Sequence, residues 1–386
     1  MTGWRCCHAC CCHPVAQFIS VSLLSCCISL IIWLENVDPL INYWGHLVDG
    51  DGLEPPRLTS VPSSFQFHNE YVLPRKPVLF RFPGGVDAAL NWKTHKWTNE
   101  YLLRVIGENT EMVAEEKPVN DSETIGVNKK KIRVGDFFRR MQDDANDTDV
   151  RYYSHTQDPQ NEPPTADFPK GHMAQLMSSI LSRLTTDFGI PCFALTMPMN
   201  KINWWFGRSR DANGSVSRLH MDDMDNVYAL IRGQKRIELY SPADTWNLYP
   251  YGSLKQVMPN GRIEFSTREY MDRFSQIDMR EPVDYNKFPR FANATRYVVH
   301  LKAGEMIFIP ARWFHVITSF DTHLAINFWF TPVEELFYST RAQMPPSQPA
   351  NASVEVQLGA LWWSWKSKIL CACTKFLYCQ PRPSAE

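Results

Sequence analysis

The sequence predicts a mainly β domain, folded as a barrel or as a roll of two sheets, behind an N-terminal transmembrane helix. Many short runs of β-forming residues are separated by turn residues, which is typical of such a domain. Two longer runs, Val227–Tyr240 and Tyr297–Ile309, carry a glycine near the middle, and we expect a hairpin in each with Gly233 or Gly304 in the turn. The third observation is the segment Val15–Leu34, which contains no charged residue.

The transmembrane helix is predicted from length and flanking charge. The segment Val15–Leu34, at ~1.5 Å per residue, spans about 30 Å, the thickness of a hydrocarbon core, and Trp33 lies at its edge as interfacial aromatic residues do. A cleaved signal peptide is the alternative, but Ile31–Leu34 offers no small-residue cleavage site. Because Arg5 precedes the span and Glu35–Glu54 contains no lysine or arginine, we expect a single-pass type II signal anchor, in the endoplasmic reticulum or another secretory-pathway membrane.

The two ends of the chain differ in composition from the β domain. Residues 1–14 form a cysteine-rich tail whose cysteines are candidates for palmitoylation or, as an alternative, for zinc binding, although no second cysteine pair follows. Residues 344–386 are predicted to be a proline-rich linker and an amphipathic helix that lies on a membrane, pairs with another chain or docks on its own domain. Five N-glycosylation sequons agree with a luminal domain: Asn120, Asn146, Asn213, Asn293 and Asn351.

Between these ends, residues 35–60 are expected to be a linker and residues 61–343 one domain. A helix is predicted over Trp97–Ile106 with Thr98 as its N-cap, and a second helix over Met173–Phe188. The polar stretch Asn109–Lys131 is predicted to be a surface loop or an insertion. The formal net charge is −1 and no basic stripe is present, which argues against nucleic acid as a direct partner.

Three residues form a metal-binding pattern. His220 and Asp222 precede the strand-like run Val227–Ile231, and positions two apart on a strand point to the same face. His315 follows the strand-like run Met306–Pro310 and can complete a set of two histidines and one carboxylate. Such a set suits Fe(II), because it leaves coordination positions open for oxygen and a co-substrate.

The segments around these residues resemble a known family. The resemblance is carried by three stretches, Ser217–Lys235, Lys302–His315 and Leu324–Phe330, which are similar to the metal-binding segments of the Jumonji-C oxygenases, most of all the small lysyl and asparaginyl protein hydroxylases. It covers roughly Val61–Gln343. It implies a double-stranded β-helix of the cupin type with helices packed outside, Fe(II) held by His220, Asp222 and His315, and 2-oxoglutarate and O2 as co-substrates.

The resemblance also implies residues for 2-oxoglutarate. Lys235 matches the family lysine that binds the far carboxylate of this acid through a charge-assisted hydrogen bond. The other matches to family positions around the co-substrate and the metal are Ser217, Tyr152 (or its neighbour Tyr153), Asn226 and Asn327. For the serine and the asparagines, the alternative interpretation is hydrogen bonding to the local backbone. For the tyrosine, the alternative is a position in the core.

Other residues of these segments are interpreted structurally. Without the family pattern, Lys235 would be interpreted as a solvated hairpin lysine. Trp313 is expected to pack in the core. Asp225 is expected to be a loop or surface carboxylate, His300 a strand residue and His323 a loop residue.

The predicted function is that of a membrane-anchored dioxygenase that uses Fe(II) and 2-oxoglutarate to hydroxylate a protein side chain. Its partners would be a protein or peptide substrate, the membrane through residues 15–34 and, as an open question, a second copy of the chain. Two alternatives remain. One is an N-methyl-lysine demethylase of the same family, and the other is a non-catalytic cupin-fold protein that mediates interactions at a membrane.

Overall fold

The structure is a computed structural model that describes residues 54–118, 129–142, 150–155, 177, 179–209, 212–258, 261–267 and 272–332. The predicted cysteine-rich tail, transmembrane helix and C-terminal helix lie outside these residues. Among the helices that are described, none has the length and apolar character that crossing a bilayer requires. The anchor over Val15–Leu34 therefore stays a prediction from sequence.

The described residues form short helices and a large sheet. In chain order the elements are β1 (Arg57–Leu58), α1 (Ser64–Phe67), β2 (Val78–Phe80), α2 (Gly85–Leu90), α3 (Asn99–Ile106), β3 (Glu111–Pro118), β4 (Lys129–Arg133), α4 (Val134–Gln142), β5 (Val150–His155), α5 (Ser179–Ser182), β6 (Met199–Arg208), β7 (Ser215–Val216), β8 (His220–Met221), β9 (Asp225–Tyr240), β10 (Ser253–Val257), β11 (Ile263–Thr267), β12 (Arg296–Lys302), β13 (Met306–Ile309) and β14 (Phe314–Phe330). Single turns of 3-10 or π-helix connect some of them: His68–Val72, Thr94–Lys96, Cys192–Ala194, Pro242–Asn247 and Pro289–Asn293.

Two long antiparallel strands, β9 and β14, organise the sheet. They pair from Asp225 opposite Phe330 to Tyr240 opposite Phe314, with register shifts between Phe320 and Ala325. The strand order is β1-β2-β13-β9-β14-β6-β5-β3-β4, with β12 on β9 and with β7 and β8 on β14. Strands β10 and β11 form a separate two-stranded sheet. The described fold is thus mainly β, as predicted.

The two predicted hairpins are wrong. Residues Val227–Tyr240 lie within one strand, β9, which continues through Gly233 at φ +80°. Strands β12 and β13 do not pair with each other but follow one another along the same edge of β9, and the Gly304 N–H donates to the Leu230 carbonyl at 2.8 Å. Glycine at positive φ serves here as a bend inside a continuous ladder, and the sequence alone does not separate this use from a turn.

Side chains on opposite faces of the sheet enter different cores. On β9, Val227, Ala229 and Ile231 face a core shared with α3 and α4, whereas Tyr228 and Leu230 face a second core inside the roll. The second core also receives residues from the other half of β9, from β12 and β13, and from both halves of β14. Because β9 and β14 contribute inward residues on both sides of their bends, the roll has one shared interior.

Of the other predicted elements, one helix is confirmed and the rest differ from the prediction. Helix α3 begins after Thr98, whose side chain accepts a hydrogen bond from the Tyr101 N–H at 3.2 Å, so this helix and its N-cap are confirmed. The second predicted helix is reduced, in the described residues, to Ser179–Ser182. The predicted loop Asn109–Lys131 contains the strand Glu111–Pro118, which pairs with β4 and β5. The predicted linker contributes β1, which pairs in parallel with β2.

Gly233→Ala is expected to destabilise the domain strongly. A Cβ at this position would meet the Thr322 carbonyl oxygen at 2.5 Å. Positive φ costs a side chain about 1–2 kcal/mol and overpacking about 1–3, so we expect a loss of about 2–5 kcal/mol in the free energy of unfolding, measured in urea. Gly189→Ala is the matched control, because no atom lies within 4 Å of a Cβ there. Equal unfolding curves for the two variants would contradict this account of the bend.

Candidate functional site

The three predicted metal ligands converge at one end of the interior. His220 on β8 lies in register with His315 on β14, and their ring centroids are 4.3 Å apart. Asp222 follows β8 directly, and its Oδ2 lies 3.8 Å from His315 Nε2. The ligand atoms of the three residues all lie within 4.8 Å of one another, and no other group of this kind occurs in the part of the chain that the structure describes.

Backbone carbonyls fix the orientation of both imidazoles. His220 Nδ1 lies 2.8 Å from the Arg218 oxygen, and His315 Nδ1 lies 2.9 Å from the Trp313 oxygen. A carbonyl only accepts, so each Nδ1 carries the proton and each Nε2 presents its lone pair to the shared centre. His220 also stacks on Phe274, with centroids 5.6 Å apart.

Burial keeps His315 neutral. His315 is 3% exposed, and burial, together with the neighbouring His220, lowers its pKa to about 4, against the opposing effect of the Asp222 carboxylate. A neutral imidazole is the form that binds a metal ion. The His315 Nε2 lone pair is therefore available to a cation at neutral pH.

The nearby carboxylates have other partners. Asp223 forms an ion pair with Arg273 at 2.5 Å. Asp225, expected to be a loop or surface residue, is instead 1% exposed and binds Arg75 at 2.6 Å. Asp225 also accepts a hydrogen bond from the Ala311 N–H at 2.9 Å. This leaves Asp222 as the carboxylate that faces the two histidines.

Arg75 connects the buried ion pair to the histidine segment. Its own carbonyl accepts a hydrogen bond from Trp313 Nε1 at 2.8 Å, and the Trp313 carbonyl in turn holds His315. Trp313 is fully buried, as predicted. The neighbouring Arg312 N–H donates to the Asp222 carbonyl at 2.7 Å. One short segment thus holds two of the three ligands, and Arg75, which the sequence analysis did not single out, fixes that segment from outside the motif.

Lys235 is buried in the interior and is not a solvated lysine. It is 2% exposed, its Nζ donates to Ser319 Oγ at 2.8 Å, and the same atom lies 5.7 Å from the centre of the Tyr228 ring. Burial lowers the pKa of Lys235 to about 7. Among the described residues no carboxylate lies within ion-pair distance of this ammonium, so an anionic ligand would be its charged partner.

The two predicted asparagines lie in the interior and bind each other. Asn327 Nδ2 donates to Asn226 Oδ1 at 2.8 Å, and Trp205 Nε1 donates to Asn327 Oδ1 at 2.7 Å. Both asparagines are buried, and neither shows the local backbone bonding that was the alternative. Their amides are therefore held in fixed orientations inside the roll.

Ser217 forms hydrogen bonds to the backbone, which is the alternative interpretation of this residue. Its hydroxyl accepts a hydrogen bond from the Ile317 N–H at 2.9 Å and donates to the Arg218 carbonyl at 3.3 Å. Tyr152 lies on β5 in register with Glu116, and Tyr153 in register with Gly207 of β6. The side chains of both tyrosines lie outside what the structure describes, so the choice between them stays a prediction.

The two remaining histidines of the barrel segments differ. His300 lies on β12 and is exposed, which confirms its assignment as a strand residue. His323, predicted to be in a loop, lies instead on β14 and is 2% exposed. Burial and the neighbouring Lys235 lower its pKa well below the usual value. The lysine thus lies in an interior that disfavours a second positive charge.

The roll and its inward group of two histidines and one carboxylate define this chain as a cupin-like domain with a candidate metal centre. The chain belongs to the cupin-like domain family, whose model matches residues 62–335. This match includes all three candidate ligands and Lys235, and it confirms the family that the sequence predicts.

Several characterised proteins are similar to the chain. Lysine-specific demethylase 8 of Xenopus tropicalis is 30% identical over 276 residues, which cover 70% of this chain and 51% of that protein. The human bifunctional peptidase and (3S)-lysyl hydroxylase JMJD7 is 23% identical, covering 74% of this chain and 87% of that protein. The mouse tRNA wybutosine-synthesizing protein 5 is 28% identical, covering 79% and 87%. The chain spans about half the length of the first of these relatives.

Arg75→Met is expected to destabilise the domain by about 3–5 kcal/mol, because it removes the guanidinium that pairs with the buried Asp225 carboxylate. The free energy of unfolding in urea measures this loss. The control is Arg57→Met, since Arg57 pairs with Glu54 at the surface and half of its side chain is exposed. Adding Asp225→Asn to Arg75→Met should restore part of the loss. A loss for Arg75→Met no larger than that for Arg57→Met would refute the role of the buried pair.

Proposed function

We propose that this chain is a dioxygenase that depends on Fe(II) and 2-oxoglutarate and hydroxylates a side chain of a protein or peptide. The observation that carries the proposal is the convergence of His220, Asp222 and His315, with their ligand atoms within 4.8 Å of one another and both Nδ1 atoms hydrogen-bonded to backbone carbonyls. Membership of the cupin-like family and the relatives named as lysyl hydroxylase and lysine-specific demethylase support it.

The donor set fits Fe(II). Two imidazoles and one carboxylate on one side of the ion would leave the opposite positions for small ligands, which is the arrangement of iron oxygenases. When bound, the iron would supply oxygen activation coupled to decarboxylation of the 2-oxo acid. The chain itself holds His315 neutral, orients both rings through backbone carbonyls, and holds Asp222 through the Arg312 N–H.

Lys235 would bind the far carboxylate of 2-oxoglutarate. Its ammonium is already oriented by Ser319, and a carboxylate would give it the charged partner that the interior lacks. Because the pKa of Lys235 is about 7 in the ligand-free protein, binding of the acid would favour the protonated form. Ser217, Tyr152, Asn226 and Asn327 would complete the co-substrate site, the first through the backbone of β14 and the asparagines through their mutual hydrogen bond.

The reaction on the substrate is also proposed, as hydroxylation of a side chain and not demethylation. Hydroxylation and N-methyl-lysine demethylation both begin with hydroxylation of a C–H bond, and they differ in whether the hydroxylated carbon is attached to nitrogen. The human relative whose length is 87% covered is named a (3S)-lysyl hydroxylase, which favours side-chain hydroxylation. Turnover with a peptide library followed by mass spectrometry distinguishes a gain of one oxygen from a loss of one methyl group. Absence of any turnover would favour the non-catalytic alternative.

The location in the cell is proposed from the sequence. Val15–Leu34 would anchor the domain as a type II protein with its catalytic side in the secretory-pathway lumen. Its substrates would then be proteins of that compartment. The formal net charge of −1 supports a protein substrate over nucleic acid. A homodimer stays a prediction.

Asp222→Ala is expected to abolish 2-oxoglutarate decarboxylation, because it removes one of three protein ligands. The measurement is succinate or CO2 release by the iron-loaded protein, with circular dichroism to establish that the domain remains folded. Asp223→Ala is the matched control, since its carboxylate pairs with Arg273 at the surface. Undiminished release by Asp222→Ala would rule out the metal assignment.

Lys235→Ala is expected to weaken 2-oxoglutarate binding by about 2–5 kcal/mol, because a buried carboxylate would lose its charged partner. Calorimetry with Mn(II)-loaded protein measures the affinity for the acid and, separately, for the metal, which should change little. Lys302→Ala removes an exposed lysine of β12 and serves as the control. If the metal affinity collapses while the affinity for the acid is unchanged, Lys235 does not bind the co-substrate.

The type II orientation predicts glycosylation of the domain. Asn213 and Asn293, the two sequon asparagines among the described residues, are both exposed and accessible to glycosylation. Full-length protein made with microsomes should shift to lower mass on glycosidase treatment and resist added protease. Asn213→Gln combined with Asn293→Gln should reduce the shift. A protease-sensitive domain without glycan would place the domain in the cytosol instead.

A further inference from the structure

One amide in the interior is fully buried and has no hydrogen-bond partner among the residues that the structure describes. Asn203 on β6 is 0% exposed, and neither its Nδ2 nor its Oδ1 is hydrogen-bonded within the described structure. Its strand neighbours Ile202, Trp204 and Phe206 belong to the core shared with the helices. Because strand side chains alternate, Asn203 faces the other way, into the interior of the roll on the same face as Trp205.

Register places Asn203 beside the co-substrate residues. It lies directly opposite Asn327 on β14, and Asn327 lies opposite Tyr228 on β9. The ring of Tyr228 is 5.7 Å from Lys235 Nζ. Two strand spacings of about 4.8 Å separate Asn203 from Tyr228, the residue that Lys235 contacts. Asn203 therefore lies about 10 Å across the sheet from Tyr228.

The neighbouring amide of Asn327 is hydrogen-bonded to other residues and not to Asn203. Asn327 uses its Nδ2 for Asn226 and its Oδ1 for Trp205. An unpaired buried amide costs stability, whereas an apolar side chain of the same size in this position would not. A bound ligand with hydrogen-bond acceptors would supply the partner that the described residues do not give Asn203.

We propose that Asn203 is a co-substrate-binding residue, with its Nδ2 donating a hydrogen bond to a carboxylate oxygen of the bound 2-oxo acid. This inference rests on the proposed function. The acid offers acceptors only, and the interior offers donors on Asn203 Nδ2 and on the Lys235 ammonium, which has two N–H bonds beyond the one that it donates to Ser319. The polar row on β6, β14 and β9 and the buried lysine then form one binding surface for a dicarboxylic acid.

Asn203→Leu separates a binding role from a structural one. The leucine has nearly the same size and needs no hydrogen bond, so the ligand-free variant should unfold at or above the Tm of the unmodified protein. Its Kd for 2-oxoglutarate, measured by calorimetry with Mn(II)-loaded protein, should rise about tenfold or more, with the Kd for Mn(II) unchanged. Asn200→Leu is the matched control, because Asn200 lies on the same strand and is exposed.

The outcomes are distinct. A Kd for the acid that does not change in Asn203→Leu refutes the inference and leaves the proposed function intact, whereas an unmodified protein that binds no 2-oxoglutarate refutes both. A lower Tm together with weaker binding of both metal and acid would show a structural role and also refutes it. If Asn203→Leu does not fold, Asn203→Ser provides the test, and it too should weaken binding of the acid alone.

Discussion

The antiparallel pairing of β9 and β14 is the constraint on which the rest of the structure depends. Each strand is long enough to run through both halves of the roll, and the pairing is irregular only near Gly233 and between Phe320 and Leu324. Every other strand of the large sheet is attached directly or indirectly to these two. Because inward positions occur on both sides of the bend, a single strand pair supplies His315 and Ser319 on one strand and Asn226 and Lys235 on the other.

The interior combines an apolar core with polar groups that the fold does not neutralise. Lys235 lacks a described carboxylate partner, and its pKa is about 7 instead of 10.5. The unfolded chain therefore binds a proton that the folded chain does not between about pH 7 and pH 10.5, so this lysine lowers stability as pH falls through that range and lowers it no further below pH 7. A bound anion raises the pKa again. The same burial that costs stability prepares the site for a negatively charged ligand.

Local pattern and family resemblance together predict the site residues well, but they do not predict how the strands are connected. The spacing of His220 and Asp222 reflects strand alternation, and Thr98 acts within three residues of the helix that it caps, so both were accessible from sequence. Gly233 and Gly304 were assigned to turns because positive φ has the same sequence signal in a turn and in a bend within a strand.

The partners of buried charges were not accessible from sequence. Arg75 and Asp225 are 150 residues apart, and no local pattern pairs them. His323 is predicted to be a loop residue, yet β14 continues through it, past Asp321 at φ +46°. Asn203 has one weak sequence signal, because it is the polar residue within the otherwise apolar run Ile202–Phe206. Its lack of a hydrogen-bond partner among the described residues depends on the neighbours that the sheet brings to it.

His315 and Ser319 lie four residues apart on one straight part of β14, and both face the interior. At about 3.3 Å per residue, their Cα atoms are separated by about 13 Å. Ser319 positions the Lys235 ammonium, so the distance between the metal ligands and the cationic end is set by backbone rise and not by any loop. Under the proposed function, this strand fixes the distance between the two ends of the co-substrate site. A 2-oxo diacid of any other chain length would meet the same fixed separation between the metal ligands and the lysine.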